Sequence, residues 1–241
     1  MTFAPAGSPP PEVSVIIPCL NEAGNAALYP QTLFAPLDQA GFSCEIIFSD
    51  GGSSDGTADL LAGMAAARPG VRLLRSNGPS SFAASIARAV PACRGRYIAF
   101  LEADLSFAPL DLARLLAAAK ALNCDCVCGS PFLGAFEGLP PARRLLTGAA
   151  NLLLRLRFGR AVTSYTQIFK LYRAEVLRQL HFQNSGFTLD AELLAKTLAR
   201  GYKVAEVPVT MTARSRGRSK LDAAGETFSC LRLIARGVGT V

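Results

Sequence analysis

The sequence predicts an α/β fold built on a doubly wound, mostly parallel β-sheet with helices on its faces. Three observations predict it. Short apolar, β-branched runs alternate with helical stretches over roughly the first 130 residues, the pattern of consecutive βα units. Polar residues follow directly on several of those runs: Asn21, Glu22, Asp50, Glu102 and Asp104. Open parallel sheets bind ligands at the carboxyl ends of their strands, so loops from separate strands aim these groups at one edge. Half of the 241 residues are hydrophobic and 18% are charged, a globular composition long enough for one sizeable core.

Residues 1–11 are rich in proline and polar groups and read as a flexible leader. Val13-Ser14-Val15-Ile16-Ile17-Pro18 is a buried strand stopped by proline. A helix is expected over 25–40, and Glu45 to Asp50 is a second strand ending on an acid. Gly51 to Gly56 must be a loop, and Thr57 to Ala67 a helix with Asp55 or Thr57 near its start. Val71 to Leu74 is a strand, 80–93 an alanine-rich helix, and Tyr97 to Leu101 a fourth strand leading into Glu102-Ala103-Asp104. Leu110 to Leu122 is a helix, and Cys126 to Gly129 a fifth strand. The second half is less regular. It contains a helix over Pro140–Leu156, a mixed stretch over Phe169–Leu180, a helix over Leu189–Arg200 closed by Gly201, and a strand over Val204–Thr210. A basic loop over Arg214–Lys220 precedes an amphipathic helix over Phe228–Val238. The expected organisation is a leader (1–11), a catalytic domain (12–222) and a C-terminal amphipathic helix (223–241).

The net charge of +7 suits anionic partners such as nucleotides, lipid phosphates or an acidic membrane surface. Nucleic acid is not expected, because no basic run carries interleaved aromatics. Seven cysteines form no disulfide-like framework, which points to a reducing, cytoplasmic setting. Alternation would put Cys124, Cys126 and Cys128 on one strand face. Their spacing is not the CxxC usual in zinc sites, and buried thiols are the simpler reading. No signal peptide and no stretch of about 18 apolar residues is evident, so the protein is expected to touch a membrane at most, not cross one.

Three groups carry the chemistry. Glu102 and Asp104, one residue apart at a strand end, can turn toward one divalent ion, and Mg²⁺ sites often join one or two carboxylates to substrate phosphates. Two solvated turn acids are the alternative. In the loop Asp50-Gly51-Gly52-Ser53-Ser54-Asp55-Gly56-Thr57, glycines such as Gly52 let the backbone approach a ligand closely, Ser53 beside it is a candidate nucleotide contact, and Asp50 could accept hydrogen bonds from a base or ribose. The loop is neither a GxGxxG fingerprint nor a P-loop, which excludes a Rossmann dehydrogenase and a P-loop kinase. The segment Arg214-Ser215-Arg216-Gly217-Arg218-Ser219-Lys220 offers cations and a flexible glycine to phosphate oxygens, or is a solvated charge run. His181, the single histidine, lies outside these loops.

With these pieces in order, the chain resembles the family 2 inverting glycosyltransferases of the GT-A fold, most closely the dolichol-phosphate (polyprenyl-phosphate) mannosyl- and glucosyltransferase branch. The resemblance rests on Val15 to Glu22, Ser49 to Thr57, and Ala92 to Tyr97 leading into Glu102-Ala103-Asp104-Leu105-Ser106. It continues through Arg143-xxx-Thr147-xxx-Asn151, Gly186-Phe187 with Glu192, Glu206-Val207-Pro208-Val209, and Arg214-xx-Gly217-x-Ser219-Lys220. It implies that Pro18, Asn21, Glu22 and Asp50 serve the nucleotide, that Glu102 and Asp104 match the DxD metal motif for Mg²⁺ or Mn²⁺, and that Arg143, Arg214, Ser219 and Lys220 meet diphosphate or acceptor phosphate. An acceptor that is already a phosphate needs no strong base, which fits the lack of a histidine candidate. The sequence departs from the family pattern in three places. Glu102 replaces an Asp. Phe82 stands where Lys or Gly is common. Ser164 and Ile168 stand where that branch has Asp and Gly, leaving Gln167 as an oxygen donor nearby.

The expectation is a metal-dependent inverting transfer from a GDP- or UDP-sugar to a polyprenyl-phosphate-type lipid at a membrane surface. Asp104, Glu192 and Lys220 are the candidate catalytic residues. A saccharide or other small acceptor is the alternative, with Asp190 or Glu192 as base. A nucleotide-sugar-binding homologue without full turnover is a third reading, and a nucleotidyltransferase a fourth.

Overall fold

The computed structural model describes residues 9–183, 186, 188–214 and 223–238. Its seven-stranded sheet has the order β3-β2-β1-β4-β6-β5-β7. The strands are β1 (Val13–Cys19), β2 (Cys44–Asp50), β3 (Val71–Arg75), β4 (Tyr97–Phe100), β5 (Cys126–Glu137), β6 (Lys170–Arg173) and β7 (Val204–Thr212). The helices are α1 (Ala23–Ala26), α2 (Ala35–Gln39), α3 (Thr57–Ala67), α4 (Phe82–Ala89), α5 (Asp111–Leu122), α6 (Pro141–Phe158), α7 (Ala174–Arg178), α8 (Thr188–Ala199) and α9 (Ala223–Arg236). Only β6 runs against its neighbours β4 and β5, so the sheet is mostly parallel as expected.

Strand β1 shows why. Val13, Val15, Ile17 and Cys19 point into one core layer, with Leu37, Leu61 and Leu112 from helices on that side. Ile16 points into the other, with Ile86, Leu177, Leu189 and Leu193. A strand covered on both faces can be largely apolar, and β1 and β2 are, apart from buried Ser14, Glu45, Ser49 and Asp50. Register carries the consequence to the site. Cys19 pairs with Asp50 and Asp50 with Arg75, so the β1 and β2 loops leave the sheet side by side. The Leu101 amide bonds to the Ile16 carbonyl, and the acidic segment begins one residue later.

Four expectations need correction. The helix over 25–40 is broken: α1 ends at Ala26, a π-turn spans Pro30–Phe34, and α2 follows. Pro30 and Pro36 each lack an amide hydrogen and crowd the preceding turn. Strand β5 runs past Gly129 to Glu137 through a register shift between Ser130 and Ala135. Gly134 makes this possible, because a Cβ there would overlap the Val209 backbone. The mixed stretch over Phe169–Leu180 resolves into β6 and α7, inserted between β4 and β5. Cys124 does not share a face with Cys126 and Cys128. It precedes β5 and lies in the opposite core layer, while the Cys126 and Cys128 sulfurs sit 3.9 Å apart beside α8. All three are buried thiols.

At the far end of the sheet Glu45 is fully buried. It accepts from Ser14 Oγ at 2.6 Å and from Arg72 at 2.9 Å, and Ser14 Oγ accepts the Gly95 amide at 2.8 Å. A Cβ on Gly95 would lie 2.5 Å from the Ser14 amide nitrogen. Gly95→Ala is therefore expected to destabilise the protein by about 1–3 kcal/mol, the cost of forcing atoms into a packed interior. Urea unfolding measures this, and an unchanged midpoint would contradict the close approach.

Candidate active site

Three loops at the carboxyl end of the sheet are stitched together. Asn21, in the left-handed region at φ 50°, accepts from the Ser54 amide through Oδ1 at 2.8 Å, and its own amide donates to Ser53 Oγ at 2.8 Å. The Glu22 amide donates to Thr57 Oγ1 at 2.7 Å, and the Ala23 amide to Asp55 Oδ2 at 3.1 Å. Asp55 thus ties α1 to the start of α3. Asp50, 1% exposed, accepts from the amides of Gly52 and Ser53 and from Ser53 Oγ. Gly52 has φ 91°, and a Cβ there would lie 2.7 Å from the Gly78 carbonyl oxygen. Arg88 joins the same two loops, donating to the Asp50 carbonyl and to Ser80 Oγ, each at 3.0 Å.

The nucleotide-binding candidates divide accordingly. Pro18 and Glu22 line a cavity of about 580 Å³, together with Gly51, Ser81 and Phe82. Asn21, Asp50, Gly52 and Ser53 do not line it. They are the internal bonds that hold the loop in shape, and the Asp50 carboxylate spends its lone pairs on the loop's own amides.

The same cavity reaches Glu102 and Asp104. Leu105 adopts φ 54°, and the chain then folds back so that Ser106 N and Oγ donate to Asp104 Oδ1 at 3.0 and 2.7 Å. Asp104 Oδ2 pairs with Arg214 Nε at 2.6 Å. Glu102 Oε2 is buried with no hydrogen-bond partner. Burial, then the neighbouring charges of Asp104 and Asp190, push its carboxyl up to about 8, against the pull of Arg214 and Arg143. Gln167 lines the cavity opposite. Its loop is held by Asn151, whose Oδ1 accepts the Tyr165 amide at 2.6 Å, and by buried Lys170, which donates to the carbonyls of Tyr165 and Gln167.

Two carboxylates and a side-chain amide are hard oxygen donors, and a buried orphan oxygen beside one already paired with a cation fits a divalent ion. Among the described residues, no group of three His, Cys, Asp or Glu completes an all-protein cage. Such an ion would depend on further oxygen from a ligand, as Mg²⁺ sites built with substrate phosphates do. Ser164, where the expected pattern has an acid, is fully buried off the cavity, with its amide held by Glu206 Oε1 at 3.0 Å.

Arg143 and Arg214 line the cavity. Ser219 and Lys220 lie outside the described residues. Glu192 turns away: its carboxylate accepts from Lys196 Nζ at 2.7 Å and from the Gln183 amide at 3.0 Å. Asp190 is buried behind the wall with Oδ2 unpartnered. Sequence reasoning missed one wall. Glu226, Thr227, Cys230 and Leu231 of α9 line the cavity, and Glu226 Oε2 accepts from Thr188 N and Oγ1 at 2.9 Å, capping α8. The amphipathic pattern showed that α9 has an apolar face but not what it covers. That face packs on α6 and α8, with Leu233 in the core.

A sheet of this order with strand-end acids beside a large cavity is the architecture of a nucleotide-sugar transferase. Residues 14–181 match the model of glycosyl transferase family 2, and the chain belongs to that family. It is 32% identical over 216 residues to polyprenol monophosphomannose synthase of Mycolicibacterium smegmatis, covering 86% of this chain and 80% of that protein. It is 31% identical over 232 residues to dolichol-phosphate mannosyltransferase of Pyrococcus furiosus, covering 93% of this chain but 63% of that protein. In fold it matches glucosyl-3-phosphoglycerate synthase of Mycobacterium tuberculosis in complex with Mn²⁺, UDP and phosphoglyceric acid, with a TM-score of 0.70 at 22% identity over 97% of this chain and 80% of that one. The GT-A fold and glycosyltransferase class expected from the sequence are therefore correct.

Asp190 makes the site's acidity measurable. Burial raises its carboxyl to about 7 from an ordinary 3.8, with Lys170 opposing and Glu226 adding to the shift. Because the folded state holds this proton more tightly, the associated stability is full below about pH 4 and is lost as pH rises through 7. Asp190→Asn should flatten that part of the thermal-stability profile. Parallel profiles for the two proteins would contradict a buried, proton-holding Asp190.

Proposed function

We propose that this glycosyltransferase moves a sugar from a nucleotide-diphosphate sugar to a polyprenyl-phosphate-type lipid at a membrane surface, using Mg²⁺ or Mn²⁺ bound by Glu102 and Asp104 with Gln167. The observation that carries the proposal is the two-sided cavity. Its polar end holds Glu102, Asp104, Arg143 and Arg214, and its other walls are apolar, with Leu146, Leu153 and Ile168 among them. That pairing suits a phosphate carried on a hydrocarbon chain. The names of the two sequence relatives point the same way.

The acceptor's phosphate oxygen attacks the anomeric carbon, and the bond from that carbon to the diphosphate oxygen breaks. The leaving diphosphate keeps the electron pair. A bound divalent ion would offset the charge that develops on that leaving group. Arg214, held on Asp104, supplies a positioned positive charge beside the reacting groups, and Arg143 adds a more exposed one at the cavity wall. Pro18 and Glu22 border the nucleotide end. A hydroxyl acceptor would need a base in the cavity. The two acids considered for that role do not line the cavity: Glu192 pairs with Lys196, and Asp190 is buried behind the wall.

Helix α6 supports the membrane surface. Leu145, Leu152 and Leu156 are 76%, 54% and 57% exposed on one side of it, and Arg144 and Arg157 flank them in solvent. An apolar stripe edged by arginines is the pattern of a helix lying in the interface of an anionic bilayer. Among the described residues no helix is long and apolar enough to cross a membrane.

Incubation with Mn²⁺, GDP- or UDP-sugars and a short polyprenyl phosphate is expected to release nucleotide only when the lipid phosphate is present. Release with a saccharide acceptor alone would sink this reading. Asp104→Ala should lower turnover by more than about 100-fold, exceeding the cost typical of lost outer-shell partners. Leu152→Glu should abolish sedimentation with anionic vesicles while leaving the folded state intact, and unchanged sedimentation would remove α6 from the membrane surface.

A further inference from the structure

The Asp104 carboxylate already holds a cation. Its Oδ1 is taken by Ser106 N and Oγ, leaving Oδ2 as the oxygen with capacity for another partner. Arg214 Nε sits on that oxygen at 2.6 Å, and the Asp104 side chain is only 3% exposed. Beside it Glu102 Oε2 is buried without a hydrogen-bond partner. Two carboxylates in a low-dielectric wall repel each other unless a positive charge lies between or beside them. Arg214 is the cation that the described residues bring into ion-pair contact with either one.

We propose that Arg214 is a place-holder for the divalent ion: it neutralises Asp104 while the metal site is empty, and it transfers to the donor's diphosphate when metal and nucleotide arrive. The proposal rests on Glu102 and Asp104 being the metal ligands. A guanidinium and a divalent ion cannot share Asp104 Oδ2 without strong like-charge repulsion, so the ion must displace Arg214. If the ion arrives alone, the displaced guanidinium loses a charge-assisted bond to a carboxylate and no diphosphate replaces it. If the ion arrives with a diphosphate, the guanidinium gains anionic oxygens in its place, and its planar fork matches a phosphoryl group. Arg214 lines the same cavity, so the diphosphate lies within its reach.

A consequence follows that an ordinary phosphate ligand would not produce. Arg214 should weaken binding of the metal alone and strengthen binding of metal with nucleotide. It thereby couples the two ligands. The full chain is titrated with Mn²⁺ alone, followed by electron paramagnetic resonance, and again in the presence of saturating GDP or UDP. Arg214→Ala is expected to bind bare Mn²⁺ about 5-fold or more tightly than the wild type, and to lose a similar factor in nucleotide affinity with Mn²⁺ present. Arg214→Lys, which keeps the charge, should retain the weak bare-metal binding. Arg214→Gln serves in the same titration should the alanine variant fail to fold. Bare-metal affinity that is unchanged or weaker in these neutral variants would overturn the place-holder role while leaving the metal site intact. Failure of the wild type to bind Mn²⁺ even with nucleotide would overturn both the site and the inference built on it.

Discussion

Two carboxylates at the end of β4 are partly withdrawn from water, and much of this site answers to that constraint. Glu102 is half-buried with one enclosed oxygen that has no hydrogen-bond partner, and Asp104 is enclosed by Ser106 and Arg214. A buried charge is tolerable only when paired or protonated. The protein uses both routes: an arginine on Asp104 and a carboxyl raised to about 8 on Glu102. Each leaves the site ready for a cation of higher charge. Asp190 is a further acid nearby, itself buried, whose carboxyl burial raises to about 7 against the pull of Lys170.

Rigidity upstream makes that poise usable. The β1, β2 and α4 loops are locked to each other by bonds from Asn21, Asp50, Ser53, Asp55 and Arg88. Few of those groups face the cavity. Their work is to hold Pro18, Glu22 and Gly51 still at its rim. On the other side Asn151 and Lys170 do the same for Gln167. The polar residues of these loops thus fall into two sets, one facing the cavity and one maintaining its shape.

The apolar walls tell a different story. Helix α6 gives leucines both to the cavity and to solvent, and α9, packed on α6 and α8, adds Glu226 and Leu231 to the cavity wall. A polar centre that opens onto hydrocarbon is an economical design for the proposed acceptor, whose phosphate and chain need opposite surroundings. It also places the proposed membrane contact next to the reacting end of the cavity.

The alternation of apolar runs with amphipathic helices determined the sheet and its carboxyl edge, because strands covered on both faces leave a continuous apolar signature. It also located Glu22, Glu102 and Asp104, since strand ends are set by local pattern. Other features lay beyond local pattern. Two prolines split the helix expected over 25–40, and the bulge at Gly134 carried β5 past its apparent stop. The hydrogen-bond partners of Asp50, in its own loop, and of Glu192, at Lys196 and Gln183, were also not legible from pattern. The antiparallel insertion of β6, the closure of the cavity by α9 and the pairing of Arg214 with Asp104 were decided by tertiary structure alone. Each joins segments separated by tens of residues, and a residue's pattern with its chain neighbours contains no information about which distant surface it will meet.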